Sequence, residues 1–163
     1  MEDLVKKISQ YQIFNFLLSG TVLAFILSKT TSLNLLSDNI LLSLFVYYFI
    51  GLIASRIGSL VVEPLYKKLR IVKFVSYSRY LSAVKEDEKI DVLSQENNTY
   101  RTLIGMLLTY IPAYLVCSWV GKEVLHQGWA IIAIAFILLI LLSIAYRKQT
   151  KYIVSRVEAV SDD

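Results

Sequence analysis

Four long stretches without a charged side chain constrain this chain more than any other feature of its sequence. They contain 21, 17, 20 and 23 residues and lie between Lys7 and Lys29, Asp38 and Arg56, Arg101 and Lys122, and Glu123 and Arg147. A helix needs about 20 residues to cross the hydrocarbon core of a bilayer. Strands of a membrane β-barrel are about ten residues long and alternate in polarity, which these stretches do not. The sequence therefore predicts an all-α integral membrane protein with four transmembrane helices.

The composition agrees with lipid as the solvent for much of the chain. Hydrophobic residues make up 56% of the 163 residues, charged residues make up only 18%, and the mean hydropathy is +0.56. Soluble domains are about a quarter charged, and a chain of this size buries only part of its surface. Basic cytoplasmic loops account for the formal charge of +4, so we do not expect nucleic-acid binding.

The charge pattern divides residues 1–163 into a single four-helix transmembrane domain. We place a partly helical cytoplasmic loop at 64–101, a cytoplasmic tail at 147–163, and the spans at about 11–28, 40–62, 102–121 and 128–146. The second span extends past Arg56 because 57–62 is again mostly apolar and Pro64 is the first helix breaker. The N-terminus is acidic and no small-residue cleavage site follows, so we expect the first span to be retained.

Lysine and arginine residues are distributed among the predicted loops as the positive-inside rule requires. The segment before the first span has two, the middle loop has eight and the tail has four, whereas each of the other two loops has one. This pattern predicts that both termini and the middle loop face the cytoplasm. The frequent use of Ile, Leu, Tyr, Ser and Lys fits an AT-rich bacterial gene, so we expect a bacterial inner-membrane protein.

The two loops predicted outside are too short to form a binding domain, so a soluble partner or ligand is expected on the cytoplasmic side. The first half of the middle loop is aromatic and basic and contains no acid. Its cations are Lys67, Lys68, Arg70, Lys73 and Arg79. They are candidates for contact with an anionic ligand, such as a nucleotide, or with a lipid headgroup. The simpler interpretation is positive-inside bias alone.

Small residues recur at spacings of four along the second span. They are Gly51, Ala54, Ser55, Gly58 and Ser59. Small side chains allow helix backbones to approach closely in lipid. This face could form an oligomer interface or line a pore, or it could pack against another span of the same chain. The sequence leaves both interpretations open.

Arg56 and Glu63 are seven residues apart, which is two turns of a regular α-helix. They could form an intramembrane ion pair that couples a switch. The simpler interpretation, which we favour, is an arginine that snorkels to the headgroups and a glutamate just beyond the span. A charge at the centre of the bilayer costs about 2.5–3.5 kcal/mol on insertion scales.

Several polar or flexible residues interrupt the first and third spans. They are Asn15, Ser19, Gly20, Thr21, Tyr110 and Pro112. Such residues could line a conduit, but they more often hydrogen-bond between helices. Pro112 is expected to kink the third span.

No pattern typical of catalysis, cofactor binding or metal binding occurs in the sequence. His126 is the single histidine, and with Glu123 it supplies too few ligands for a metal. Cys117 lies in an apolar span and is expected to be inert. We find no nucleophile–base pair, phosphate loop or CxxC motif, so we expect no cofactor and no catalytic residues.

Three segments carry a resemblance to known proteins: 11–20 (YQIFNFLLSG), 55–64 (SRIGSLVVEP) and 97–103 (NNTYRTL). They look like segments of small, uncharacterised four-span membrane proteins of bacteria. The general plan and size also resemble the compact membrane subunits of anti-phage systems, including the four-span subunit of the Kiwa system. The resemblance implies an inner-membrane effector or partner and assigns no residue a role.

Three functions are compatible with these features. We expect a non-catalytic membrane effector or sensor subunit that is homo-oligomeric, is controlled by a cytoplasmic protein partner or ligand, and responds through its spans, for example by opening a pore. The first alternative is a structural subunit that docks a cytoplasmic protein and conducts nothing. The second alternative is a membrane-embedded enzyme or lipid-handling protein.

Overall fold

The chain folds into helices throughout most of its length. The computed structural model describes residues 2–33, 35, 38–121 and 128–161. The helices are α1 (Glu2–Thr30), α2 (Ile40–Ile57), a π-helical turn (Gly58–Val62), α3 (Glu63–Lys68), α4 (Tyr77–Glu86), α5 (Lys89–Gly121) and α6 (Gly128–Ser161). No strand occurs within the described ranges, and the predicted all-α fold is confirmed.

Within the part of the chain that the structure describes, four helical segments are long and apolar enough to cross a membrane. They are Gln10–Thr30, Ile40–Lys68, Lys89–Val120 and Ala130–Val160. The last three contain 29, 32 and 31 residues, whereas the hydrocarbon core accommodates about 20. The chain is therefore a multi-pass membrane protein, and these three helices, like the 29-residue α1, are long enough to project beyond the lipid.

Contacts between helix ends show that the four long helices run alternately up and down. Near the start of α1, the Tyr11 hydroxyl contacts Thr99 and the Gln95 carbonyl of α5. Near the end of α6, Thr150 Oγ1 lies 3.3 Å from Asn97 Oδ1 of α5. Helix α4 packs against α5 and α6 beside these contacts. We call this end of the bundle the capped end.

Glycines allow the first three spans to pack so closely that the backbones of neighbouring helices are in contact. A Cβ atom added at Gly20 would lie 2.8 Å from the backbone nitrogen of Gly51, and one added at Gly105 would lie 2.7 Å from that of Gly58. Side-chain atoms do not approach a neighbouring backbone this closely, so α2 contacts α1 and α5 through positions that lack a side chain. Gly51 and Gly58 of the predicted small-residue face thus pack within one chain.

An apolar core fills the bundle on the far side of these polar contacts. Its buried members are Leu23, Leu27, Ala54, Met106, Leu107, Tyr110, Tyr114 and Ala135. Helix α6 contributes Ala135 to this core and packs half-buried side chains against it, while other aliphatic side chains of α6, among them Ile137, Ile140 and Ile144, are exposed. Exposed apolar surface of this kind is suited to contact with lipid.

A π-helical turn carries the second span through Pro64. Proline lacks the backbone donor, and its ring clashes with the carbonyl four residues earlier, here that of Leu60. The turn at Gly58–Val62 widens the helix immediately before the proline, and the helix continues to Lys68. The second helix thus runs past the predicted end of the span at residue 62.

Helix α3 ends in a Schellman motif with Arg70 in the left-handed conformation. The Ile71 N–H donates to the Tyr66 carbonyl at 2.9 Å, the Arg70 N–H donates to the Lys67 carbonyl at 3.1 Å, and φ of Arg70 is 57°. Glycine is usual at this position because a side chain there costs about 1–2 kcal/mol. The motif turns the chain so that Val72 packs with Tyr66 in the core.

The close contact between α1 and α2 predicts that Gly51→Leu will destabilise the protein. The new side chain would meet the Phe16 carbonyl and force the helices apart, at a cost of about 1–3 kcal/mol or more. Ala133→Leu adds the same side chain on the exposed face of α6 and is the matched control. We expect a lower melting temperature in detergent for Gly51→Leu alone. Equal melting temperatures for the two variants would contradict the contact.

Candidate functional site

A polar cavity of about 410 Å³ lies at the capped end among α1, α2, α4 and α5. Small-molecule sites have volumes of about 300–1,000 Å³, so the cavity is large enough for a small ligand. Phe16 and Leu52 are the only described lining residues without a polar group. The polar ones are Tyr11, Gln12, Asn15, Tyr48, Ser55, Arg56, Ser59, Tyr80, Asp91, Ser94, Gln95, Asn98 and Arg101.

Helix α5 provides the longest polar face of the cavity. Its lining residues are Asp91, Ser94, Gln95, Asn98 and Arg101, at successive spacings of three, one, three and three residues. These spacings place all five on one side of a helix. The sequence contains this signal, but none of the five was predicted as a site residue because polar residues in a loop are ordinarily solvated.

Asn15 lies at the inner wall of the cavity and is only 4% exposed. Its Nδ2 donates to Thr102 Oγ1 at 3.2 Å, and Thr102 in turn lies 3.3 Å from Ser55 Oγ. The Asn15 Oδ1 atom is buried and has no hydrogen-bond partner among the described residues. A buried acceptor without a partner costs about 1–3 kcal/mol, and this atom has almost no surface through which a ligand in the cavity could reach it.

Arg101 separates the polar cavity from a neighbouring one. Its Nη1 donates to Glu63 Oε2, and Glu63 Oε1 also accepts from Lys67 Nζ at 2.6 Å. The two side chains of the Arg101–Glu63 pair are 20% and 22% exposed, so water screens the pair only partly. The Nε atom of Arg101 is buried and unpartnered within the described chain.

The ion pair between Arg56 and Glu63, which was the less favoured of the two interpretations, does not form. Glu63 binds Arg101 and Lys67 instead, and Arg56 is exposed with no salt bridge in the described part of the chain. The spacing of seven residues assumes a regular helix, whereas the π-helical turn Gly58–Val62 intervenes and moves Glu63 out of phase with Arg56. Arg56 is left at the edge of the cavity with its guanidinium available.

Tyr80 of α4 covers the cavity. Its hydroxyl donates to Ser94 Oγ at 3.0 Å, and burial raises the pKa of Tyr80, so the phenol stays protonated at neutral pH. Tyr80, Ser94, Asn98 and Arg101 also line the neighbouring cavity, which has a volume of about 410 Å³. Movement of Tyr80 would therefore alter both cavities.

The loop between α4 and α5 is tied to the end of α6. Asp87 accepts a hydrogen bond from Arg156 Nε, and this bond lowers the pKa of the Asp87 carboxyl. Asp87 Oδ1 also accepts from the Lys89 N–H at 3.0 Å and so caps the start of α5. Apolar contacts of Ala83 with Val157 support the same junction. The position of α4 over the cavity thus depends on α6.

Some residues of the predicted small-residue face pack against other parts of the chain, and the others line the polar cavity. Ala54 is fully buried in the apolar core, while Gly51 and Gly58 contact neighbouring helices. Ser55 and Ser59 line the cavity. The described chain therefore uses all five positions internally.

The predicted basic residues do not form one cluster. Lys67 pairs with Glu63 and lies 4.8 Å from the ring centre of Phe74. Arg70 and Lys73 line a separate groove, described below. Lys68 and Arg79 are exposed and line none of these cavities.

The polar residues predicted within the first and third spans have different surroundings. Asn15 and Ser19 are buried, whereas Thr21 and Pro112 are exposed. Gly20 packs against α2, and the Tyr110 hydroxyl lies 3.4 Å from Thr30 Oγ1. Cys117 is a half-buried free thiol, and Glu123 and His126 lie outside the described residues.

Comparison with known proteins identifies no relative: no family model, no curated protein and no solved structure matches the chain. Within the described residues, no three His, Cys, Asp or Glu side chains lie close enough together to hold a metal ion. The properties of the cavity itself are therefore the basis for a functional proposal.

The Asp87–Arg156 contact predicts a pH-dependent effect of Asp87→Asn. Because the pKa of Asp87 is lowered in the folded protein, the pair stabilises the fold at neutral pH and is lost as the pH falls through that lowered pKa. Asparagine retains the cap of α5 and removes only the charge. We expect Asp87→Asn to lower the melting temperature at pH 7, with the difference from wild type shrinking below about pH 4. A pH-independent difference would contradict the pair.

Proposed function

We propose that this chain is a non-catalytic sensor or effector subunit of the bacterial cytoplasmic membrane that binds a small anionic ligand in the polar cavity. The observation that carries the proposal is the cavity of about 410 Å³, lined by polar side chains of four helices, with an arginine at its edge that forms no salt bridge in the described part of the chain. Both termini and the capped end face the cytoplasm in this proposal, because the basic residues are concentrated there.

The charges around the cavity favour a ligand with one anionic group. Arg56 has no carboxylate partner in the described chain, and Arg101 shares its charge with Glu63. Asp91, whose Oδ2 accepts from Gln95 at 2.8 Å, is the one carboxylate among the described lining residues. Arginine binds carboxylate and phosphate groups in a bidentate manner. The anionic group would therefore bind Arg56.

The remaining lining favours a soluble, polar ligand. Amide and hydroxyl groups from α1, α2 and α5 surround the cavity, and desolvating them against an apolar molecule would be unfavourable. Phe16 and Tyr48 form an edge-to-face pair with ring centres 5.5 Å apart on one wall. A small phosphate ester with a planar ring, such as a nucleoside monophosphate, combines the groups that these side chains bind.

The interior of the bundle favours sensing over conduction by a single chain. Past Asn15, the buried side chains of Leu23, Met106 and Tyr110 fill the space between the helices. A ligand in the cavity would contact Tyr80 and so displace or fix α4. Ligand binding would then shift the capped end between two arrangements, which a cytoplasmic protein partner or a second subunit could distinguish.

The proposals of self-association and of a role in anti-phage defence do not depend on the polar cavity. The small-residue face is occupied within the chain, so homo-oligomer formation would need another surface, such as the exposed side of α6. The setting in anti-phage defence rests on the resemblance of plan and stays a prediction.

Ligand binding predicts a thermal shift that depends on Arg56. We would measure the melting temperature of the protein in nanodiscs with AMP, glycerol 3-phosphate, adenosine and glycerol. Phosphate-bearing probes are expected to raise it, and their neutral counterparts are not. Arg56→Gln should weaken binding about 10- to 100-fold, since a hydrogen bond to a charged group contributes about 1.5–3 kcal/mol.

Arg79→Gln is the matched control for this experiment. It removes the same charge from α4, at a residue that is also exposed and that lines neither cavity nor the groove. Arg79→Gln should bind like the wild type, and both variants should melt like the wild type without ligand. Equal binding by the wild type and Arg56→Gln, or no shift with either phosphate ester, would argue against the proposal.

A further inference from the structure

A basic groove lies between α6 and the turn that follows α3, apart from the polar cavity. Its volume is about 340 Å³ and its cations are Arg70, Lys73, Arg147 and Lys151. No carboxylate is among its described lining residues, and none of the four cations forms a salt bridge in the described ranges. Four like charges around one groove repel one another, so a bound anion would be stabilising.

The groove is held in place by buried contacts. The Schellman motif at the end of α3 directs Ile71 and Val72 toward the core, where Val72 is 3% exposed and packs with Tyr66 and Tyr146. Arg70 adopts the left-handed conformation in which glycine is usual. These contacts fix the backbone of the turn that carries Arg70 and Lys73 opposite α6.

An apolar strip on α6 leads directly to the groove. Ile140, Ile144, Arg147 and Lys151 follow one another at spacings of four, three and four residues, so they lie on one face of the helix. Ile140 and Ile144 are 57% and 60% exposed, and the two basic residues are also exposed. The strip is apolar within the span and becomes cationic where the span ends, as a phospholipid molecule is apolar along its chains and anionic at its head.

We infer that the groove binds the phosphate of an anionic glycerophospholipid, with an acyl chain along Ile140 and Ile144. The cations at the groove bind the headgroup, and the adjacent apolar strip selects a lipid over a free anion. None of the four cations lines the polar cavity, so this site and the proposed ligand site can fail independently.

The inference predicts that an anionic lipid stabilises the protein more than a neutral lipid or a soluble headgroup does. We would measure the melting temperature of detergent-purified protein titrated with dioleoyl phosphatidylglycerol, dioleoyl phosphatidylcholine or glycerol 1-phosphate. Phosphatidylglycerol is expected to raise it most. An equal rise with phosphatidylcholine would overturn an anion site, and an equal rise with glycerol 1-phosphate would overturn a lipid site.

Neighbouring residues on α6 provide matched variants. Arg147→Gln removes a cation that lines the groove, whereas Lys148→Gln removes one at the same depth that does not. Arg147→Gln should weaken the apparent affinity for phosphatidylglycerol about five-fold, and addition of Lys151→Gln should weaken it about 25-fold. Lys148→Gln should bind like the wild type.

All three substituted side chains are exposed and loss of a groove cation relieves repulsion, so the lipid-free melting temperatures should not fall below that of the wild type. Equal losses of affinity for phosphatidylglycerol in Arg147→Gln and Lys148→Gln would mean that the lipid responds to surface charge in general, and would overturn the site. No rise with phosphatidylglycerol in the wild type would overturn it as well.

Discussion

The ion pair between Arg101 and Glu63 is the interaction on which the capped end depends. The two side chains are only 20% and 22% exposed, so leaving either charge without its partner would be costly. The π-helical turn before Glu63 moves its carboxylate out of phase with Arg56, and the close packing of Gly58 against Gly105 brings α5 within reach. The pair thus sets the register of α5 against the second span, and with it the wall between the two cavities.

The architecture is readable from the sequence because lipid imposes a simple requirement. A span must be long, apolar and internally hydrogen-bonded, so uncharged stretches reveal the helices without any knowledge of their packing. Details that depend on a neighbouring helix were not readable. The partner of Glu63 could not be predicted without knowing that a π-helical turn precedes it. The helix against which Gly51 packs could not be predicted without knowing where α1 lies. The spacing of polar residues along α5 is visible in the sequence, but only the structure shows that these residues line a cavity.

The polar cavity and the basic groove both lie at the capped end of the bundle. The cavity offers hydrogen bonds and one available arginine in a partly enclosed space, which suits a small soluble ligand. The groove offers four cations beside an exposed aliphatic strip, which suits a lipid. Helix α6 connects the two sites, because it lines the groove and its end binds the α4–α5 loop through Arg156 and Asp87.

A double-mutant cycle on Arg101 and Glu63 tests the organisation of the capped end most directly. The melting temperature and denaturant stability of Arg101→Gln, Glu63→Gln and the double variant would be compared with the wild type. If the pair sets the register, each single variant is clearly destabilised and the double variant recovers part of the loss, with a coupling free energy of about 1–3 kcal/mol. Strictly additive effects, or single variants as stable as the wild type, would show that the pair is incidental and that glycine packing alone positions α5.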